Sequence, residues 1–268
     1  MTRAKNNFQM KFVGGTDLRT ARLLSTVLVF LVAGSTLFVN QRTANGQVTS
    51  QGSPDVYFGV YLAYANTPTG TAKELIDTVG GYTNLFVSGS SLISGTGRWL
   101  NETLQYAYDK GLYFISFPPG GTGYPGPGGN ARLIEWFTYA HKTWGDHLLG
   151  FLTPEIDEPA GKQLDVSRDA WFRVQSATDY SDAARQFENN IGSLLNQTRE
   201  KTSVLNSTVY PLFTCDYALY QFDYNAGFDV VFAEFGWNYS RQINAALCRG
   251  AATTQDKDWG AIVLWTYT

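Results

Sequence analysis

The chain has 268 residues, of which 44% are hydrophobic and 15% aromatic, and its formal net charge is −3. This length and composition are enough to bury the core of one large domain. Without a concentrated basic face, the small negative charge argues against nucleic acid as a partner. The two histidines, His141 and His147, lie in one predicted helix, and the spacing of Cys215 and Cys248 fits no zinc motif, although the two cysteines can form a disulfide. We therefore expect no metal and no cofactor.

The N-terminal segment indicates export. Five basic residues precede an uncharged run of 17 residues from Leu23 to Val39. This run is longer than a usual signal-peptide core and at the short limit for crossing a bilayer. Cleavage before Gln47 would make it a signal peptide. Without cleavage, residues 23–39 would anchor the chain as one hydrophobic membrane helix with its basic end in the cytoplasm.

Export agrees with the rest of the chain. We predict a basic segment with a signal peptide or membrane anchor over 1–46, a linker over 47–55 and a folded domain over 56–268. The folded domain carries four acceptor sequences for N-glycosylation, at Asn101, Asn196, Asn206 and Asn238. The expected location is extracellular or at the cell surface, as a secreted or a single-pass anchored protein.

Beyond residue 55, short apolar runs alternate with helical patterns. The predicted strands are 56–64, 84–89, 112–119, 148–154, 208–216, 228–236 and 259–268. The predicted helices are 71–82, 97–111, 131–147, 181–201 and 240–252, with Ser181 and Ser240 as N-caps and Gly111 as a stop signal.

Strands that are apolar throughout and separated by helices predict a parallel sheet covered on both faces. A repeat of roughly 25 to 30 residues favours a (β/α)8 barrel of the TIM type over an open doubly wound sheet. The first strand–helix turn also lacks the Gly-x-Gly-x-x-Gly of dinucleotide-binding folds. Because the chain ends on the seventh predicted strand, we expect this barrel to be incomplete at its C-terminus.

Barrel enzymes carry their chemistry at the C-terminal ends of the strands. Those ends offer no His, Cys or Lys here, and only carboxylates can supply an acid and a base. The strand-end residues that we single out are Tyr64, Glu155, Asp157, Glu158, Asp216, Glu234, Trp237, Asn238, Trp265 and Tyr267. Two carboxylates in an aromatic-lined cleft are typical of glycoside hydrolysis, in which one protonates the leaving oxygen and the other is a nucleophile or activates water.

Three short motifs resemble the clan A glycoside hydrolases. Asp157-Glu158-Pro159 is similar to the Asn-Glu-Pro that carries the general acid of that group. Glu234-Phe235-Gly236-Trp237 is similar to the Glu-Phe-Gly that carries its nucleophile, and the LWTYT of residues 264–268 is similar to its sugar-stacking Trp strand. The resemblance implies Glu158 as acid and Glu234 as nucleophile or base. It also implies a carbohydrate substrate bound by Tyr64, Asp157, Asp216, Trp237, Asn238, Trp265 and Tyr267.

The sequence departs from this pattern at two points. Asp157 replaces the usual Asn, and Glu234 falls on the sixth predicted strand where the resemblance implies the seventh. Either a strand within 160–180 has been missed, or this is a more distant barrel family.

Two functional classes remain open. One is an exported glycoside hydrolase acting on an extracellular or cell-envelope glycan, and the other is a non-catalytic barrel that binds glycan or forms a cell-surface scaffold. A separation of about 5 to 10 Å between the carboxyl groups of Glu158 and Glu234 would favour catalysis.

Overall fold

The computed structural model describes residues 27–32, 54, 56–119, 129–153, 177–202, 210–236 and 240–263, and the statements below concern these residues. The strands are β1 (Val27–Val32), β2 (Val56–Leu62), β3 (Leu85–Ser88), β4 (Tyr113–Ser116), β5 (Leu148–Leu152), β6 (Leu212–Asp216), β7 (Val230–Phe235) and β8 (Asp258–Val263). The α-helices are α1 (Gly70–Val79), α2 (Ser91–Ser94), α3 (Gly97–Asp109), α4 (Gly129–Trp144), α5 (Tyr180–Thr202), α6 (Tyr220–Ala226) and α7 (Arg241–Thr254). A 3₁₀ turn, Gly145–His147, follows α4.

Strands β2 to β8 form one all-parallel, curled sheet in chain order, which confirms the predicted α/β class and all seven predicted strands. The five predicted helices are also confirmed, while α2 and α6 were not predicted. Strand β1 pairs antiparallel with both β2 and β8 and closes the sheet into a barrel.

The prediction of a hydrophobic helix over 23–39 is wrong for Val27–Val32, which form β1. Three of these six residues are valine, and β-branched side chains favour extended backbone over helix. In this position β1 also pairs with the backbone edges of β2 and β8, which a helix would leave open. In the part of the chain described above, no helix is both long and apolar enough to cross a membrane.

No extra strand of the sheet lies between the fourth and fifth parallel strands. Phe151 and Leu152 of β5 pair directly with Leu212 and Phe213 of β6. Residues 160–176, where the sequence offers a further strand, lie outside the described residues, so that alternative stays a prediction. Glu234 lies on the sixth parallel strand, as its sequence position indicates.

Side chains alternate between two faces along the barrel strands, as strand geometry requires. One apolar cluster fills the barrel interior and takes residues from β2 to β8: Tyr61, Leu85, Val87, Ile115, Phe117, Leu152, Phe213, Cys215, Val230, Phe232 and Ile262. A second cluster joins the outer face of the sheet to the helices and contains, among others, Phe86, Phe114, Leu212, Val231 and Ala233. Membership in one of these two clusters therefore shows whether a strand residue faces the barrel interior or the helices.

Local signals set the helix ends. Ser240 caps α7, as predicted, by accepting a hydrogen bond from the N–H of Ile243 at 3.4 Å. Ser181 does not cap α5, because the helix begins one residue earlier and the Asp179 side chain accepts from the N–H of Asp182 at 2.8 Å. Gly111, with φ of 75°, follows α3 in the left-handed conformation that ends a helix at little cost for glycine.

Candidate functional site

Most residues of the predicted site lie outside the described residues. These are Glu155, Asp157, Glu158, Trp237, Asn238, Trp265 and Tyr267. The predicted site residues that the structure describes are Glu234, which is one of the two predicted catalytic carboxylates, Tyr64 and Asp216.

Glu234 lies at the carboxyl end of β7 and faces the barrel interior. It follows Val230 and Phe232 at strand spacing, and both of these belong to the interior cluster. Its partner in the parallel register is Ile262, another interior residue. The residue is 4% exposed, and the Asn244 side chain of α7 donates to its backbone carbonyl at 3.2 Å. A carboxyl group is thus held at the mouth of the barrel against an apolar interior.

Asp216, at the end of β6, faces the other way. Its inward neighbour is Cys215, so Asp216 points into the layer between sheet and helices, where it is 1% exposed. Its Oδ1 accepts hydrogen bonds from the N–H groups of Ala218 at 2.5 Å and Leu219 at 2.7 Å. These bonds hold the turn into α6. The geometry gives Asp216 this structural role and does not support the predicted contact with substrate.

A second buried aspartate, Asp223 of α6, accompanies Asp216. Burial raises the pKa of the Asp216 carboxyl, against the effect of its N–H donors, which lower it. Burial and the neighbouring Asp216 charge raise the pKa of Asp223 well above its usual value. Sequence analysis missed Asp223 because residues 217–227 contain no clear helical period.

Tyr220 is a further buried polar residue that sequence analysis missed. Its hydroxyl has no hydrogen-bond partner among the described residues. Burial raises its pKa, and the charges of Cys248, Asp216 and Glu234 raise it further. Tyr220 therefore lies within electrostatic range of both strand-end carboxyls, although the two face opposite sides of the sheet.

Two tyrosines near the C-terminal end of β2, Tyr61 and Tyr64, differ in exposure. Tyr64 is 73% exposed and offers a free ring face, which is compatible with its predicted stacking role. Tyr61 belongs to the interior cluster, and a Cβ atom at Gly89 would lie 2.0 Å from its Cε2. The glycine after β3 thus leaves the space that the Tyr61 ring occupies. The alternation of side chains between the two faces of β2 is the sequence signal that would have identified Tyr61 as an interior residue.

No disulfide joins Cys215 and Cys248, so the possible bridge between them is not formed. Cys215 belongs to the interior cluster, whereas Cys248 of α7 lies in the outer cluster and its thiol donates to the carbonyl of Val231 at 3.4 Å. The sheet separates the two sulfur atoms. Burial raises the pKa of the Cys248 thiol, which keeps it protonated and unreactive.

The two described acceptor asparagines differ in access. The Asn101 side chain accepts a hydrogen bond from Trp136 Nε1 at 2.5 Å, and the Thr103 hydroxyl of the same acceptor sequence is buried. Asn196 is exposed on α5 and lines a polar groove with Glu188 and Asn225 on the outer surface, away from the barrel mouth. Asn206 and Asn238 lie outside the described residues.

Within the described ranges, no group of three or more His, Cys, Asp or Glu side chains is arranged to hold a metal ion. Comparison with protein-family models gave no match, and a search of curated proteins found none with significant similarity.

Proposed function

We propose that the protein is an exported glycoside hydrolase on a (β/α)8-type barrel. It acts on an extracellular or cell-envelope glycan, with Glu158 as general acid and Glu234 as nucleophile or base. The observation that carries the proposal is the inward-facing, 4% exposed carboxyl group of Glu234 at the catalytic end of β7. A buried acid has a high free-energy cost, and one at this end of a barrel is a frequent mark of a reaction site.

The position of β5 relative to β7 supports the pairing with Glu158. Glu158 follows β5 in the sequence, and one strand, β6, lies between β5 and β7. Two strand spacings amount to roughly 10 Å along the sheet. The proposed chemistry requires the two carboxyl groups to lie about 5 to 10 Å apart, and the strand order is compatible with that separation.

The first experiment is a hydrolysis screen of the full chain on a glycan panel, followed by the variants Glu158→Gln and Glu234→Gln. Each should lower kcat/KM by about 10²- to 10⁴-fold, because a positioned acid or base is lost, while glycan binding and fold are kept. Asp157→Asn should lower it less, since it restores the residue of the resembled group.

Glu74→Gln is the matched control, because Glu74 is an exposed glutamate on α1, distant in the sequence from Glu158 and Glu234. It should leave turnover unchanged. If both site variants of an active protein keep full turnover, the two-carboxylate mechanism is wrong.

A non-catalytic glycan-binding or scaffold barrel is the second candidate. The observations that favour it are Asp157 in place of Asn and Glu234 on the sixth parallel strand. Binding of a glycan that the protein never cleaves, with the same affinity in Glu234→Gln and the unaltered chain, would establish this alternative.

Export is part of the proposal and has a test of its own. A reporter that is active only in the cytoplasm, fused after residue 55, should be inactive. Activity of that reporter would contradict the proposed extracellular or surface location.

A further inference from the structure

The strongest feature outside the proposed cleft is the pair of aspartates between β6 and α6. Asp216 is 1% exposed and Asp223 is 0% exposed. Asp216 Oδ1 accepts hydrogen bonds from two backbone N–H groups, but no N–H or O–H group of the described residues donates to Asp216 Oδ2 or to either carboxyl oxygen of Asp223. Buried carboxylate oxygens without a donor have a high free-energy cost.

A shared proton removes most of this cost. The two side chains are within hydrogen-bonding reach of one another. Two ionised carboxylates only accept hydrogen bonds and repel, whereas one protonated carboxyl becomes an O–H donor to the other. The backbone N–H groups favour the charged form of Asp216, and Asp223 has no such donors. The proton therefore belongs on Asp223.

The groups that face this pair do not supply a compensating positive charge. Tyr220 and Tyr224 lie beside the pair on α6 and Cys248 lies beside it on α7, and burial raises the pKa of all three groups. Glu234 of β7 faces the opposite side of the sheet. The pKa of Asp223 is raised by burial and by Asp216, and no Lys, Arg or His of the described residues contributes to the shift.

We propose that Asp223 donates one shared proton to Asp216 in a buried carboxyl–carboxylate hydrogen bond. This bond holds α6 against the end of β6 and makes the folded protein less stable as the pH rises. The inference concerns stability and does not depend on the proposed function.

The sign follows from the direction of the pKa shift. The folded-state pKa of Asp223 is raised above its ordinary value of 3.8, so the folded state binds a proton that the unfolded state releases. The stabilisation is complete below that ordinary value and is lost as the pH rises toward the folded-state pKa. For one proton, the unfolding equilibrium constant rises by up to about tenfold per pH unit in this window.

The test compares the pH dependence of urea unfolding in the full chain and in Asp223→Asn. An asparagine amide donates an N–H to Asp216 at every pH. The variant should therefore fold. Its free energy of unfolding should depend less on pH, by up to one bound proton, which corresponds to up to about tenfold in the unfolding equilibrium constant per pH unit. Asp109→Asn is the matched control, because Asp109 is exposed on α3 and bonds to Gln105, and it should keep the unaltered dependence.

A second variant and a second measurement cover the case in which Asp223→Asn does not fold. Asp216→Asn can still accept from Ala218 and Leu219 and donate to Asp223, so it too should weaken the pH dependence. In the unaltered chain near pH 6, well above the ordinary Asp range, infrared spectroscopy should show a neutral buried carboxyl group whose band Asp216→Asn removes. An unaltered pH dependence in a folded variant, or the absence of that neutral carboxyl, would overturn the proposal.

Discussion

Replacing Gly59 by alanine tests the barrel on which the site depends. Gly59 lies in β2 opposite Leu85 of β3. A Cβ atom at Gly59 would lie 1.9 Å from the carbonyl oxygen and 2.5 Å from the carbonyl carbon of Leu85. These are backbone atoms, so no side-chain rotation relieves the overlap. The two strands must separate, and their hydrogen-bonded pairing must weaken.

The expected loss follows from these contacts. Overpacking in a well-packed core costs about 1 to 3 kcal/mol, and each weakened strand hydrogen bond adds about 1 kcal/mol. We expect Gly59→Ala to lower the free energy of unfolding by about 3 kcal/mol. For a domain of this size, the melting temperature should fall by roughly 6 to 12 °C.

Thermal and urea unfolding of the full chain measure this loss, with Gly81→Ala as the control. Nothing lies within 4 Å of a Cβ atom at Gly81, which is exposed after α1. Alanine there should leave stability unchanged or raise it by about 0.4 to 1 kcal/mol by restricting the unfolded chain. A Gly59→Ala variant as stable as the Gly81→Ala variant would refute the close approach of β2 and β3.

Three further predictions concern the helix layer and the thiols. Ser240→Ala should lower the free energy of unfolding by about 1 kcal/mol in urea titrations, because Ser240 caps α7. Ser240→Asp should keep most of the stability, because aspartate is also a good N-cap. Trp144→Ala should lower it by about 3 to 5 kcal/mol, because the buried ring packs on Phe114 and Trp136 and its N–H bonds to Gln105; an effect below about 1 kcal/mol would contradict this packing. A reducing agent should leave the melting temperature unchanged, and thiol titration of the unfolded chain without reductant should count two thiols, since no disulfide joins Cys215 and Cys248; fewer would indicate a disulfide.

The strands were predictable because fully buried parallel strands are apolar throughout and are bounded by helical patterns. The two missed helices have physical reasons. Ser91–Ser94 is a single turn of four residues, and Tyr220–Ala226 has seven residues, too few to establish a helical period. The segment Val27–Val32 was misassigned because a long apolar run is compatible with a helix or a strand, and only its pairing with β2 and β8 decides between them.

Part of the site was predictable because barrel enzymes carry their chemistry at the C-terminal ends of the strands. This rule selected both Asp216 and Glu234, but it does not state which way a strand-end side chain points. Asp223 and Tyr220 had no signal of this kind, because their importance comes from burial beside Asp216, which depends on how α6 packs.

The direction of the two strand-end acids follows from alternation within each strand. Phe213 and Cys215 fill the interior, so Asp216 must face the helices, whereas Val230 and Phe232 fill it from β7, so Glu234 must face inward. A shift of β6 by one residue would bring Asp216 to the cleft, but it would also turn Phe213 and Cys215 out of the core. The apolar interior therefore fixes both assignments together. Any mechanism in which Asp216 contacts a sugar conflicts with the packing that directs Glu234 into the barrel.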